Sequence, residues 1–430
     1  MKVIGIDIGT TSISGVVLDA ESGNIVKTKN LNSEAFIDTL NDWEKIQSVG
    51  KIISIASEIL DSFLDEFWGE ILAIGLTGQM HGIVYVDSEG SAVSPLYTWQ
   101  DGRGNLSYGD TTYAEYLGSF SGYGNVTDFY NRENGLVPKD AVTYCTIHDY
   151  LGMVLCKNKR PILHSTDAAS LGLFDVERKV FNYSYEALVT DAFEIIGTYK
   201  EIPVSVAIGD NQASVFSTLK DEGELLINVG TGSQISIVSN HPIVSDNVES
   251  RPYLDGKYLI VGAALCGGRA YSIFKDFYKA LFDAAECKDV DVYGVMAKLL
   301  ENKAETSLCV DTRFAGTRAK SDIRGSITDI SVDNFTPSDL TFGVLNGMMR
   351  ELNDMYQSMG EVRKGIVGSG NGIRNNKALV RVAEQVFGDK VKIPRYTEEA
   401  ACGAALFALV ASGKCQKASD AQGLIKYMEE

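Results

Sequence analysis

The chain has 430 residues, 45% of them hydrophobic, with 42 glycines and a formal net charge of −18 from 57 acidic and 39 basic side chains. That length implies two large domains or a few smaller ones with ample core material, and the acidity argues against a nucleic-acid partner, which demands basic surface. Seven scattered cysteines without a Cys-x-x-Cys and four dispersed histidines argue against a disulfide framework and a structural zinc, and the absence of a leader or of a run of about 18 apolar residues argues for a cytoplasmic protein with no membrane partner.

In chain order, Lys2–Ile8 and Ile13–Asp19 read as an apolar hairpin turning at Gly9-Thr10-Thr11-Ser12. Asn41–Phe67 follows with Ile46, Val49, Ile53, Ala56, Ile59, Leu60 and Phe63 at helical spacing. Ile71–Leu76 and Ile83–Asp87 are short strands, and the alternation indicates an α/β domain. The opening then repeats. Leu225–Val238 is again strand, Gly-Thr turn, strand, and Asp7, Gly9 and Thr10 fall on Asn228, Gly230 and Thr231 at a constant offset of 221 residues. An offset that long fits one duplicated domain rather than a solenoid repeat. We place the boundary near Leu219–Gly223, giving domains 1–220 and 221–430 that face each other across a cleft. Beyond it, Tyr293–Leu300, Leu340–Met359, Asn376–Phe387 and the small-residue segment Glu398–Ala411 read as helices. Lys364–Val367 and Val391–Pro394 read as strands.

Paired Gly-Thr hairpins suit a nucleoside triphosphate, because each turn offers backbone N–H groups and glycine lets phosphate oxygens come close. On an acidic chain such a site must work locally, through those groups, helix N-termini and a metal ion. Asp7 in the first copy suits a magnesium ion, whereas Asn228 in the second is neutral. Asp210, in Gly209-Asp210-Asn211-Gln212-Ala213, stands at a helix N-terminus, either as an N-cap or as the general base for a substrate hydroxyl. Gln79 and His81, in Thr77-Gly78-Gln79-Met80-His81-Gly82, carry donors and acceptors suited to sugar hydroxyls. Trp99-Gln100-Asp101-Gly102-Arg103 adds an aromatic face, a carboxylate and a cation, a mixture shared by carbohydrate sites and exposed turns. Gly368-Ser369-Gly370-Asn371-Gly372 has Ile373 where a dinucleotide fingerprint needs its third glycine, so a turn accepting adenosine fits better. No P-loop motif is present.

Together these segments resemble the FGGY carbohydrate kinases of the actin-like ATPase superfamily. Gly316-Thr317-Arg318, Arg324-Gly325 and Glu398-Glu399-Ala400-Ala401-Cys402-Gly403-Ala404-Ala405 belong to the match. Within that family the chain is similar to sedoheptulokinases, through Thr98–Arg103, Thr146-Ile147-His148-Asp149-Tyr150 and Asp167-Ala168-Ala169-Ser170. Xylulokinases share the Gln-Met-His-Gly segment. The resemblance implies two ribonuclease-H-like domains closing over ATP and a sugar, the first binding sugar and the second ATP. It implies Asp210 as catalytic base, and Asp7 and Asp210 near Mg2+. It puts Thr10, Thr11, Ser12, Gly230 and Thr231 at phosphates, and Gly268, Gly370, Gly372 and Asn376 at the adenosine. Gln79, Met80, His81, Asp101 and Asn211 become sugar contacts, with Trp99 and Arg103 beside them. The expected reaction is transfer from ATP to a terminal primary hydroxyl of a ketose, sedoheptulose first. The alternatives are a xylulose or other pentulose kinase, an actin- or Hsp70-like ATPase scaffold and a silent sugar sensor. The oligomeric state is left open, a homodimer included. The chain departs from the family pattern in its shortened loops and in Gly368-Ser369-Gly370, where Gly-Gly-Gly is more usual. Shortened loops bear on sugar choice rather than on phosphoryl transfer.

Overall fold

The computed structural model describes residues 1–317, 320 and 322–428, so Arg318 of the Gly316-Thr317-Arg318 motif lies outside the described residues. The chain divides into two compact units. The first holds Met1–Lys220, Arg251–Lys257 and Glu398–Lys426; the second holds Asp221–Ser250, Tyr258–Thr397 and the residues from Tyr427 onward.

The first unit opens with β1 (Lys2–Ile8) and β2 (Ser12–Asp19), paired antiparallel. Val3, Ile4, Ile6, Ile8, Ile13, Val16 and Val17 are fully buried, as apolar strands covered on both faces require. β3 (Ile25–Asn32) pairs antiparallel with β2. Helix α1 (Val49–Glu66) starts later than its periodicity predicts. Ile46–Gln47 pairs instead with Leu96–Tyr97, and the Ser48 hydroxyl caps the helix by accepting from the Lys51 N–H. β4 (Ile71–Gly78) then lies parallel to β1. After it come α2 (Gly124–Glu133), α3 (Ile147–Cys156), α4 (Ser165–Ser170), β5 (Ile195–Tyr199), β6 (Ile202–Ser205) and α5 (Asp210–Thr218). The sheet runs β5–β6–β4–β1–β2–β3, with Ile208–Gly209 beside β4.

The second unit repeats the plan. β7 (Glu224–Val229), β8 (Ser233–Ser239) and β9 (Tyr258–Ala264) form an antiparallel run. Helix α6 (Gly267–Ala284) follows, then α7 (Pro337–Met359), which Thr336 caps, Pro337 begins and left-handed Gly360 ends. β10 (Gly365–Ser369) lies parallel to β7. A short helix, Gly370–Asn375, leads to α8 (Lys377–Phe387), and β11 (Val391–Lys392) pairs parallel with β10.

The second unit is not the expected unbroken 221–430: Arg251–Lys257 and Glu398–Lys426 fall in the first unit. Helix α9 (Glu399–Ala411) belongs to the first unit. It is apolar on every side, with Ala401–Val410 all buried. Glycines allow that depth. A Cβ on Gly5 would stand 1.8 Å from the Ala401 carbonyl oxygen, one on Gly75 1.9 Å from that of Ala404, and one on Gly403 1.9 Å from that of Ala213. The small-residue stripe therefore presses α9 onto β1 and β4 on one side and onto α5 on the other, bracing the helix that Asp210 begins.

Among the described residues no helix is long and apolar enough to cross a membrane. The seven cysteines are unbridged, and Cys287 and Cys309 are exposed rather than in the core.

Candidate active site

In the first unit the site grows from the β1–β2 turn. The Thr10 carbonyl accepts from the Gln47 side-chain amide at 2.7 Å, and the Thr11 carbonyl accepts from the Ser33 N–H at 2.8 Å. Gln47 in turn accepts from the Gln79 amide at 2.9 Å, while the Gln79 backbone N–H donates to Ile8 at 2.8 Å. Gln79 is thereby fixed beside the turn. The Trp99 indole N–H donates to the Thr10 hydroxyl at 2.9 Å, so the half-exposed Trp99 and the turn meet although 89 positions separate them. No motif marks Gln47, and its role emerges only from the fold. Thr11 is exposed, and Ser12 opens β2.

Met80 is buried, and a Cβ on Gly209 would stand 2.9 Å from its sulfur. His81 has left-handed backbone, φ 74°. Its N–H donates to the Ser170 hydroxyl at 3.3 Å and its Nδ1 donates to the Ser170 carbonyl at 2.7 Å. A carbonyl only accepts, so Nδ1 carries the proton.

Asp101 and Arg103, expected beside the sugar, engage each other. Both are buried. Arg103 donates to Asp101 from Nε at 2.6 Å and from Nη2 at 3.1 Å, and the Lys45 N–H donates to the same carboxylate at 3.0 Å. The guanidinium also lies 4.2 Å from the Tyr97 ring centroid. A bidentate pair this enclosed braces the Trp99 loop.

Asp210 is the first residue inside α5, and Gly209 is the N-cap. The Gly209 N–H donates to the Thr166 hydroxyl at 3.1 Å, and the Thr77 hydroxyl donates to the Ile208 carbonyl at 2.7 Å. These bonds hold the entry to α5 against α4 and β4. Asn211 accepts from Arg251 at 3.1 Å. Burial raises the Asp210 carboxyl above the usual carboxylate range, against the pull of His148, the Asn211 N–H and Arg251. Burial, then Asp210 and Glu398, push Asp7 up to about 8. The Asp7 Oδ1 atom is shut away from solvent without a hydrogen-bond partner. Behind them His148 Nε2 meets Asp167 Oδ1 at 2.9 Å, both fully buried. Burial pushes Asp167 up and His148 down.

In the second unit, Gly230, Thr231, Gly268, Gly370, Gly372 and Asn376 all line one cavity of 1490 Å³. The α6 start is pinned to the β7–β8 turn by Gly268 N–H to Gly230 O and Arg269 N–H to Thr231 O, each 2.9 Å. Gly370 has φ 80°, which a side chain would strain. The Asn376 oxygen caps α8 by accepting from Ala378 and Leu379, each 3.1 Å. Tyr271 and Tyr293, stacked at 6.0 Å, also line the cavity and were not marked by any motif.

Models of the N-terminal and C-terminal domains of the FGGY family of carbohydrate kinases match residues 2–108 and 225–412, together more than half of the chain. The chain belongs to the FGGY family of carbohydrate kinases. It is 28% identical to a sedoheptulokinase of Mus musculus, over 94% of this chain and 97% of that one. It is 25% identical to a xylulose kinase of Lactococcus lactis, over 87% and 80% respectively. The crystal structure of xylulose kinase from Rhodospirillum rubrum superposes with a TM-score of 0.85 at 17% identity, covering 100% of this chain and 93% of that one. The chain thus has the two-domain, actin-like fold of the FGGY kinases and is an ATP-dependent carbohydrate kinase.

Proposed function

We propose that this kinase phosphorylates the terminal primary hydroxyl of a ketose, converting sedoheptulose to sedoheptulose 7-phosphate. The similarity to a sedoheptulokinase over nearly the full length of both chains supports that choice. The carrying observation for the chemistry is Asp210, a carboxylate at a helix start whose raised pKa makes it a better proton acceptor. It orients the sugar hydroxyl and takes its proton late, because phosphoryl transfer passes through a loose transition state. Gln79, Met80, His81, Trp99 and Asn211 serve as sugar contacts. Asp101 and Arg103 serve as support for Trp99 rather than as contacts. Thr10, Thr11, Ser12, Gly230 and Thr231 serve the phosphates, and Gly268, Gly370, Gly372 and Asn376 the adenosine.

Asp7 and Asp210 suit Mg2+. An orphaned buried carboxylate oxygen, in the field of Asp210 and Glu398, matches a hard cation that takes oxygen ligands. When bound, the ion neutralises charge on the transferring phosphoryl group. A requirement for ATP and seven unbridged cysteines support a cytoplasmic location.

A coupled ADP-release screen over ketoheptoses, pentuloses, glycerol and alditols tests the substrate. The highest kcat/KM is expected with a ketoheptose. A higher value with a pentulose reassigns the chain to xylulose or a related sugar, and ADP release independent of any sugar overturns the reading.

A further inference from the structure

The segment Gly122-Tyr123-Gly124 touches both of the sugar-side residues that lie far apart in sequence. A Cβ on Gly122 would stand 2.0 Å from the Trp99 carbonyl oxygen, and one on Gly124 would stand 3.2 Å from the His81 carbonyl oxygen. Between them the Tyr123 ring stacks on the His81 imidazole, with centroids 4.2 Å apart and planes 13° from parallel. Gly172 also packs against Tyr123: a Cβ there would stand 2.8 Å from the ring. The Asn125 amide donates to the Gly172 carbonyl at 2.6 Å and holds that glycine in place. His81 is thus fixed at its backbone and at Nδ1 by Ser170, and across its face by Tyr123.

We infer that Tyr123 is a positioning residue of the sugar site that acts through the His81 ring; this rests on the reading of His81 as a sugar contact. Two hydrogen bonds to Ser170 set where the imidazole hinges, and the stack sets its plane. A sugar hydroxyl is recognised along a lone-pair or N–H direction in that plane, so ring rotation costs sugar affinity and discrimination between hydroxyl arrangements. ATP affinity is untouched. A stacked aromatic pair corresponds to about a three- to tenfold effect.

The test compares H81A, Tyr123→Leu and Tyr123→Phe by steady-state kinetics, with the sugar and ATP varied in turn and melting temperature measured alongside. Leucine fills the volume without a planar face, and phenylalanine keeps the face without the hydroxyl. The expected result is a sugar KM raised about three- to tenfold in Tyr123→Leu, an ATP KM unchanged, and recovery in Tyr123→Phe. The ratio of kcat/KM between ketoheptose and pentulose should also narrow in Tyr123→Leu and be kept in Tyr123→Phe. If H81A raises the sugar KM and Tyr123→Leu does not, the inference is overturned while His81 stands as a contact. If H81A leaves the sugar KM unchanged, both fall. Equal rises in the sugar and ATP KM values of Tyr123→Leu, with a lowered melting temperature, would show general loosening and also overturn it.

Discussion

The hairpins β1–β2 and β7–β8 place Asp7 and Asn228 in equivalent surroundings and treat them oppositely. Each stands on a strand paired antiparallel on one side and parallel on the other, with Thr77 and Ser369 as the respective parallel neighbours. The Asn228 amide donates to the Ser369 hydroxyl at 2.7 Å and is satisfied. The Thr77 hydroxyl turns away to Ile208, leaving the Asp7 Oδ1 atom without a partner. One hairpin is thus satisfied, and the other holds a buried carboxyl oxygen without a partner. Duplicated backbone therefore divides the work by one side chain and the direction of one hydroxyl.

The strongest way to break that comparison is at Asp210, which contributes to the field on Asp7. Asp210→Ala should lower kcat by about 10² to 10⁴ and leave ATP affinity largely intact. Near-normal turnover in a single-turnover assay would remove the base assignment. Next is Asp7→Asn, which makes the first hairpin resemble the second. Turnover should fall on the order of a hundredfold. Mg2+ should raise the melting temperature of the wild type and not of the variant, because a ligand stabilises only the state that binds it. An equal rise in both would place the ion elsewhere.

A smaller effect concerns the support behind Asp210. The Gly209 N–H donates to the Thr166 hydroxyl, and Thr166 meets His164 Nδ1 at 3.0 Å and, through its N–H, at 3.3 Å. His164 caps α4 and must be neutral to accept that N–H. Burial lowers its pKa from 6.5 to about 4. Between those values the unfolded chain binds the extra proton, so stability falls as pH drops through the window, by up to about 3 kcal/mol. His164→Asn keeps a capping oxygen and removes the titration. Urea titrations at pH 7 and pH 4.5 should show the drop in the wild type and lose it in the variant. The mildest test is Ser369→Ala, which orphans the Asn228 amide. It should cost about 1 kcal/mol of stability by the same titration, with little change in kcat. A loss of turnover comparable to Asp7→Asn would erase the distinction between the hairpins.

Much of the candidate site was legible because it follows local rules. Gly-Thr turns after apolar strands, the Asp after Gly209 and the glycine cluster from 368 to 372 each announce a turn or a helix start within a few residues. Asp101 and Arg103 show where local rules stop. A carboxylate and a guanidinium two residues apart look available to a ligand, and only the fold brings the Lys45 N–H, the Tyr97 ring and the Asn131 side chain onto them. Tyr123 and Gln47 left no local signal, since their partners lie 42 and 32 positions away at His81 and Gln79.

By itself, then, the chain of residues determined the repeated hairpin, the exchange of Asp7 for Asn228 and the capped helix ends, because backbone conformation and strand burial depend on short stretches of sequence. Tertiary structure decided where α9 goes. Its small residues permit close packing against many partners, and only the match with Gly5, Gly75 and Ala213 selects the first unit. Tertiary structure also decided that the Thr77 hydroxyl beside Asp7 is taken elsewhere. That choice turns on Thr77 reaching the carbonyl of Ile208 across 131 positions, and it separates a turn with an orphaned carboxyl oxygen from a satisfied one.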